Sequence, residues 1–294
     1  MNNQSLATIA PERLCPREIA SRMAYPATLG IALAFVYGLH LSGMALESVL
    51  FAGFFFSLAM IALLEIALPF RNDWKPGWRD WAVNGAYFML NGAIDNFGKI
   101  VVAAVAVYLA PAAEVTDPLA LAGSALLALL IGDLLGYGWH RLGHTSSLLW
   151  RFHGIHHVPT KLYMFMNNTV HFLDLFIGSL VSGIPLVVFG FSAEAIALSL
   201  FVSGFHSFFA HVNADVRMGW LGYLMLGPEH HRWHHSTKVD ESLNFGSATA
   251  LWDHVFGTFL YHPGECPDAV GVAHPQKFPG EHQLIHGYLS PFIR

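Results

Sequence analysis

MAYPATLGIALAFVYGLHLSGMALESVLFAGFFFSLAMIALL, residues 23–64, carries one acidic or basic side chain, Glu47. The runs on either side of it, 23–46 and 48–64, contain no Asp, Glu, Lys or Arg. A helix needs about 17–25 apolar residues to cross the hydrocarbon of a bilayer. Two spans joined by a tight turn therefore fit this stretch.

The same pattern recurs downstream. A third apolar region, about 83–112, is interrupted by Asp95 and Lys99, one helical turn apart and able to pair on a shared face. Its alternative reading is a pair of re-entrant half-helices. Residues 118–138 read as a fourth span, and 175–193 with 195–214 as a fifth and sixth separated only by Glu194, in the manner of a helical hairpin. The fourth or sixth helix is long enough to run past the bilayer. Charged residues make up 12% of the chain, about half the roughly 25% usual for soluble domains. The expected fold is all-α, a polytopic membrane helical bundle.

One structural unit is expected, in four parts: an N-terminal cytoplasmic segment 1–26, membrane spans over 27–129, a catalytic region with further spans over 130–260, and a covering tail 261–294. Glu12, Arg13, Arg17, Glu18 and Arg22 leave no separate short apolar core, so residues 1–26 do not read as a signal peptide. The tail is rich in Pro, Gly and His and lacks helical periodicity.

Lys and Arg accumulate on cytoplasmic loops. Six spans with both termini inside put Arg13, Arg17, Arg22, Arg71, Lys75, Arg79, Arg141, Arg151, Lys161, Arg217, Arg232, Lys238, Lys277 and Arg294 on that side and leave only Lys99 within a span. The outer connections, near Glu47, near Glu114 to Asp117 and near Glu194, carry acids and no bases. Histidine is the other asymmetry: 18 residues, all but His40 at or beyond position 140. This topology gathers their clusters on the cytoplasmic face.

Four clusters stand out: His140 and His144; His153, His156 and His157; His206 and His211; His231, His234 and His235. Positions i, i+3 and i+4 share a helical face, so each HxxHH group presents three imidazoles together and HxxxH presents two. The five-residue step from His206 to His211 splays on an ideal helix unless a π-bulge tightens it. Ten imidazoles exceed the ligand capacity of one ion, which makes two metals the natural count. Ten such rings without a metal would repel when protonated and lack partners when neutral. His40, His254, His262, His274, His282 and His286 are isolated and read as ordinary hydrogen-bonding residues.

His171, with Asp174 one turn on, and His230 read as residues that support ligands rather than as ligands. Asp133, seven residues before His140, stands on the same face and is placed either to orient an imidazole or as a simple helix-end charge. Trp139, Trp150, Trp233 and Trp252 suit headgroup depth.

Cys15 and Cys266, the only cysteines, are too few for a disulfide framework, a CxxC zinc site or an iron–sulfur cluster. GxGxxG and CxxCH are missing as well, so electrons for any redox chemistry would come from a separate reductase or small carrier. A net charge of −5 with no basic stripe argues against a nucleic-acid partner.

Read in order, Asp133, Tyr137, Trp139, His140, Arg141 and His144, then Trp150, Arg151, Phe152 and His153 with His156 and His157, resemble the fatty acid hydroxylase and sterol desaturase superfamily. The likeness continues through His211 and Asn213, Pro228, His231, Arg232, His234 and His235, then Asn244 to Gly246, and Trp252, Asp253 and Phe256 to Thr258. It covers about 130–260 and departs from the usual pattern in HxxxxH for HxxxH at the third cluster and in Phe245 for a frequent Tyr. HxxHH alone is shared with other membrane desaturases and alkane hydroxylases; the Trp252–Thr258 stretch favours this superfamily.

The resemblance implies a helical membrane protein with a cytosolic histidine-rich dimetal cap. It implies a non-haem diiron centre, which zinc can occupy in isolated protein, held by His140, His144, His153, His156, His157, His206, His211, His231, His234 and His235. Asp133, His171, Asp174, His230, Asn244 and Asp253 would stand around these ligands. The implied reaction is O2-dependent hydroxylation or desaturation of a fatty acyl, sterol or isoprenoid lipid. Imidazole by itself suits iron, zinc and copper alike. A dizinc hydrolase acting on a lipid and a non-enzymatic metal transporter or sensor are the alternatives.

Overall fold

The structure, a computed structural model, describes residues 15–109, 115 and 117–293. Glu12, Arg13, Glu114 and Arg294, used in the charge reading, lie outside the described residues. These form α1 (Pro16–Leu41), α2 (Leu46–Ala67), α3 (Trp78–Leu109), α4 (Pro118–Thr145), α5 (Trp150–His153), α6 (Phe172–Val188), α7 (Ala193–Ala210), α8 (Pro228–His234), α9 (Leu251–Phe256) and α10 (Leu284–Leu289). Among them there is no β-strand, only three isolated bridges.

Five helices, α1, α2, α3, α4 and α7, are long and apolar enough to cross a membrane. α6 is also apolar but has 17 residues and carries Pro185. At 1.5 Å per residue it reaches about 26 Å, short of the ~30 Å hydrocarbon core. The expectation of six full spans is corrected to five plus this shorter helix. α3 is continuous to Leu109, which removes the re-entrant reading over 83–109, with 110–112 outside the described residues, and Lys99 pairs with Asp95 at 2.6 Å on one face. α1 begins at Pro16, inside the segment expected to precede the membrane; proline suits that position because the first helical N–H has no partner to lose.

Helix contacts run α1 on α2, α2 on α7, α7 on α4, α4 on α6 and α6 on α3. The expected α6–α7 hairpin is therefore not a packed pair: α4 lies between the two, and they diverge over its face. Large apolar side chains cover the outside, with Phe51, Ile66 and Val107 all more than two-thirds exposed. Exposing such groups to water forfeits about 1.5–3 kcal/mol each, a cost that lipid removes. Inside, small residues allow close approach. A Cβ at Gly53 would collide with Val36, for example. Buried Ser21, Thr28 and Ser57 return their hydroxyls to the carbonyl one turn back.

α4 has 28 residues, about 42 Å of helix, so its last turns project beyond a bilayer. That projecting end carries His140 and His144. Around it fold α5, α8, α9 and their loops. The tail lies against this layer and against α3: Tyr288 donates to Asn91, Phe278 packs on Trp150, and Phe292 packs on Phe152. Its short helix α10 was not legible from periodicity. His282 and Lys161 both bind the Asp80 carboxylate, at 2.8 and 2.7 Å, which clamps the tail to the start of α3.

Candidate metal centre

The cap is built from the ends of elements. α4 presents His140 and His144 one turn apart. α5 ends at His153, and a succession of turns carries His156 and His157, so this HxxHH is not one helical face. α8 starts at Pro228 after Gly227 and runs to His234, with His235 as its cap.

The result is a partition different from the linear clusters. His140, His144, His153, His157 and His234 form one group, and His156, His211, His231 and His235 form another; within each, the possible ligand atoms lie within 4.8 Å of one another. Both HxxHH motifs are split between the groups, so the expectation that each presents its three imidazoles together is corrected. The groups abut, with the His157 and His235 rings stacked 4.3 Å apart.

Their chemistry fits metal. In the first group the Nε2 atoms of His140, His144, His153, His157 and His234 are buried without a hydrogen-bond partner. In the second, Nε2 atoms crowd together: His231 to His211 at 2.8 Å, His235 to His231 at 3.1 Å and His211 to His156 at 3.1 Å. With metal–nitrogen bonds of about 2.1 Å, adjacent ligands of an octahedron stand about 3.0 Å apart and those of a tetrahedron about 3.4 Å. The observed spacings match ligands sharing one ion.

Opposite ring atoms fix the orientation. Nδ1–H of His140 donates to the Phe245 carbonyl at 2.8 Å, that of His234 to Leu243 at 2.8 Å, that of His156 to Thr169 at 3.2 Å and that of His211 to Ser207 at 2.7 Å. This assigns the tautomer that leaves Nε2 as an acceptor facing inward. Burial first, then the neighbouring imidazoles, hold His156, His157, His231, His234 and His235 well below the ordinary histidine value. Burial brings His211 down to about 4 against the pull of the Ser207 carbonyl. Near neutral pH these rings are uncharged, the state a metal ligand requires.

His206 joins neither group. Its Nδ1–H donates to Val202 at 2.9 Å and its Nε2 accepts the Tyr25 hydroxyl at 2.9 Å. α7 is α-helical from Ala193 to Ala210, so no π-bulge tightens the register, and five residues turn through about 500°, a splay of 140°. The residue expected here as a ligand stands apart from both groups, in a packed, hydrogen-bonded position. His206→Ala is expected to keep the parental metal content while lowering the melting temperature, because it opens a cavity and strands the Tyr25 hydroxyl. Metal analysis alongside thermal unfolding would check it; loss of one metal would restore His206 as a ligand.

The surrounding residues take different positions around the two groups. Asp174 accepts Nδ1–H of His153 and the Trp139 indole N–H, both at 2.8 Å. Asp133 touches no imidazole. Its carboxylate accepts the backbone N–H groups of Ser247, Ala248 and Thr249 at 2.9–3.0 Å. Asp253 accepts those of Phe245 and Gly246 at 2.8 and 2.9 Å. Both acids thus fasten the loop whose Phe245 carbonyl receives His140. Asn244 holds the same loop in a left-handed conformation, φ 62°, its carboxamide bonded both ways to Leu260. His171 caps α6 through Leu173 and reaches the Tyr288 carbonyl of the tail. His230 accepts the Gly227 N–H and stacks on Tyr261. Neither of these two joins a group.

Two carboxylates, the half-buried Glu65 and the buried Glu229, escaped the sequence reading. Glu65 of α2 accepts the N–H groups of Asn213 and Met164, pinning the chain just after His211. Glu229 accepts those of Met218 and Gly264 beside α8. A lone acid at the end of an apolar helix is costly without partners, and that was the available signal for Glu65.

A cavity of about 320 Å³ opens against His140, His153, His156, His211 and His231 and continues between the diverging α6 and α7 over α4.

Residues 125–258 match the family model described as fatty acid hydroxylase. The chain is 29% identical over 226 residues to ornithine lipid hydroxylase OlsE of Rhizobium tropici, covering 74% of this chain and 68% of that protein. It is 27% identical to the alkylglycerol monooxygenase of Homo sapiens over 44% of this chain and 29% of the relative. With the cholesterol 25-hydroxylase of Homo sapiens the identity is 28%, over 49% of this chain and 54% of that one. The match thus spans about a third of the length of the alkylglycerol monooxygenases. No solved structure matches the chain.

Proposed function

We propose, from the match of residues 125–258 to the fatty acid hydroxylase family model and the likeness to the relatives above, that the chain is a member of that superfamily and a membrane-embedded non-haem diiron oxidoreductase that hydroxylates or desaturates a lipid with O2. The observation that carries this reading is the convergence of nine imidazoles into two abutting groups beside a cavity that five of them line.

The first ion would be held by His140, His144, His153, His157 and His234, and the second by His156, His211, His231 and His235. Iron at these positions would supply reduction of O2 and the oxidising power needed to break an unactivated C–H bond. The chain's own part is geometric and electrostatic. Asp174 fixes His153, the 245–249 loop fixes His140, and the packed rings keep water from the reacting carbon. Leu175, Leu200 and Leu226 give the cavity apolar wall area against which a lipid chain can lie.

The distribution of Lys and Arg supports a cytoplasmic cap. Electrons then arrive from a cytoplasmic reductase or small carrier, since redox-carrier motifs are not part of this sequence. A hydrolytic dizinc site would turn over without O2, and none of the three relatives described above is named as a hydrolase.

The test is protein purified without air, loaded with ferrous iron and given a membrane lipid extract, a chemical reductant and O2. About two irons per chain are expected, with a lipid product that has gained one oxygen atom or lost two hydrogens. Equal conversion under argon, or with zinc in place of iron, would sink the reading.

A further inference from the structure

Several serines in these helices spend their hydroxyls on nearby acceptors. Ser199 donates to the Ile196 carbonyl, Ser207 to the Asn167 side chain and Ser179 to Asp95. Ser182 on α6, Ser203 on α7 and Ser247 on the loop held by Asp133 differ: all three line the cavity and none makes a side-chain hydrogen bond among the described residues. A hydroxyl at membrane depth without a partner is costly, and a helical serine can normally avoid that by bonding its own backbone. These hydroxyls are instead directed to whatever fills the cavity.

Gly136 of α4 shows how they are arranged. A Cβ there would stand 3.7 Å from the Ser182 hydroxyl and 3.8 Å from that of Ser247, so the glycine opens a slot with a hydroxyl on either side. His140 is one turn further along α4, about 6 Å by helical rise. The cavity wall has no Lys or Arg, and its single carboxylate, Asp174, is already engaged by His153 and Trp139. At the metal end the wall is formed by buried His153, whose Nε2 has no hydrogen-bond partner.

Resting on the function proposed above, we infer that the substrate is a lipid bearing a neutral hydrogen-bonding group, an amide or ester carbonyl or a hydroxyl, seated between Ser182, Ser247 and Ser203. The oxidised carbon then lies within a few bonds of that group, about one helical turn away. A bare hydrocarbon or the middle of a long acyl chain would leave all three hydroxyls unmet. A phosphate or carboxylate would find no cation.

The test uses iron-loaded protein in nanodiscs, under argon so that no turnover occurs. Radiolabelled hexadecanamide is the probe, with unlabelled hexadecanamide and hexadecane as competitors. Hexadecanamide is expected to bind and to be displaced by itself but not by hexadecane. The Ser182→Ala/Ser247→Ala double variant is expected to bind about tenfold more weakly at unchanged iron content, as two modest hydrogen bonds are lost. Gly136→Ala, whose methyl meets only ordinary contacts, should fold and show a comparable loss by filling the slot. Displacement by hexadecane as effective as by hexadecanamide, no hexadecanamide binding by the parent, or parental affinity in both variants would overturn the inference. Binding as expected in a protein that oxidises no lipid would instead remove the catalytic reading and leave this one standing.

Discussion

His234→Ala and His156→Ala are each expected to lower bound iron from about two per chain to one or fewer and to abolish lipid oxidation. The two residues belong to different groups, His234 to the set on α4 and α5 and His156 to the set around His211 and His231. Changing a residue that merely orients a ligand costs about 10–100-fold in metal affinity, so loss of a ligand itself should exceed that. The fold should survive, because in the metal-free protein the substitution removes one of several inward-facing lone pairs that repel one another. Metal analysis and mass spectrometry of the lipid product measure both effects. Full iron and full turnover in both variants would defeat the ligand assignment.

Asp133→Ala is expected to act without touching a metal ligand. It removes the acceptor for three backbone N–H groups and the Thr249 hydroxyl in a site where Asp133 is only 5% exposed. A buried donor left unmet costs about 1–3 kcal/mol. Even with water entering the gap, a loss on the order of 4 kcal/mol follows, at the high end for single substitutions. The freed 245–249 loop would also release the carbonyl that orients His140, weakening iron at the first group before the second. Chemical unfolding combined with iron titration would register both; parental stability would show that the loop is held by other contacts.

The transmembrane character was legible because a bilayer imposes a length and a composition that any reader can count. α1 to α4 and α7 follow directly from the apolar runs. The shortness of α6 did not show, because Glu194 marks only where the apolar run breaks, whereas the helix stops at Val188 after Pro185. The histidines were equally conspicuous as a set. Their assortment into groups was hidden, since the i, i+3, i+4 rule presumes a helix and α5 ends at His153, leaving His156 and His157 on turns. Asp133 illustrates a different limit. Counting seven residues to His140 located its face correctly, yet what a side chain meets on that face depended on a loop more than a hundred residues later. His206 was legible in its geometry, since a five-residue step disagrees with the helical repeat.

The division of both HxxHH motifs between the two groups constrains when the protein can mature. Neither group is complete until the chain has been made through α8, His234 closing the first and His235 the second. Were the two groups to hold metal as proposed, an ion in the first would order the turn from His153 to His157, and that turn also carries His156 of the second group. On that proposal, filling of the first group would favour filling of the second.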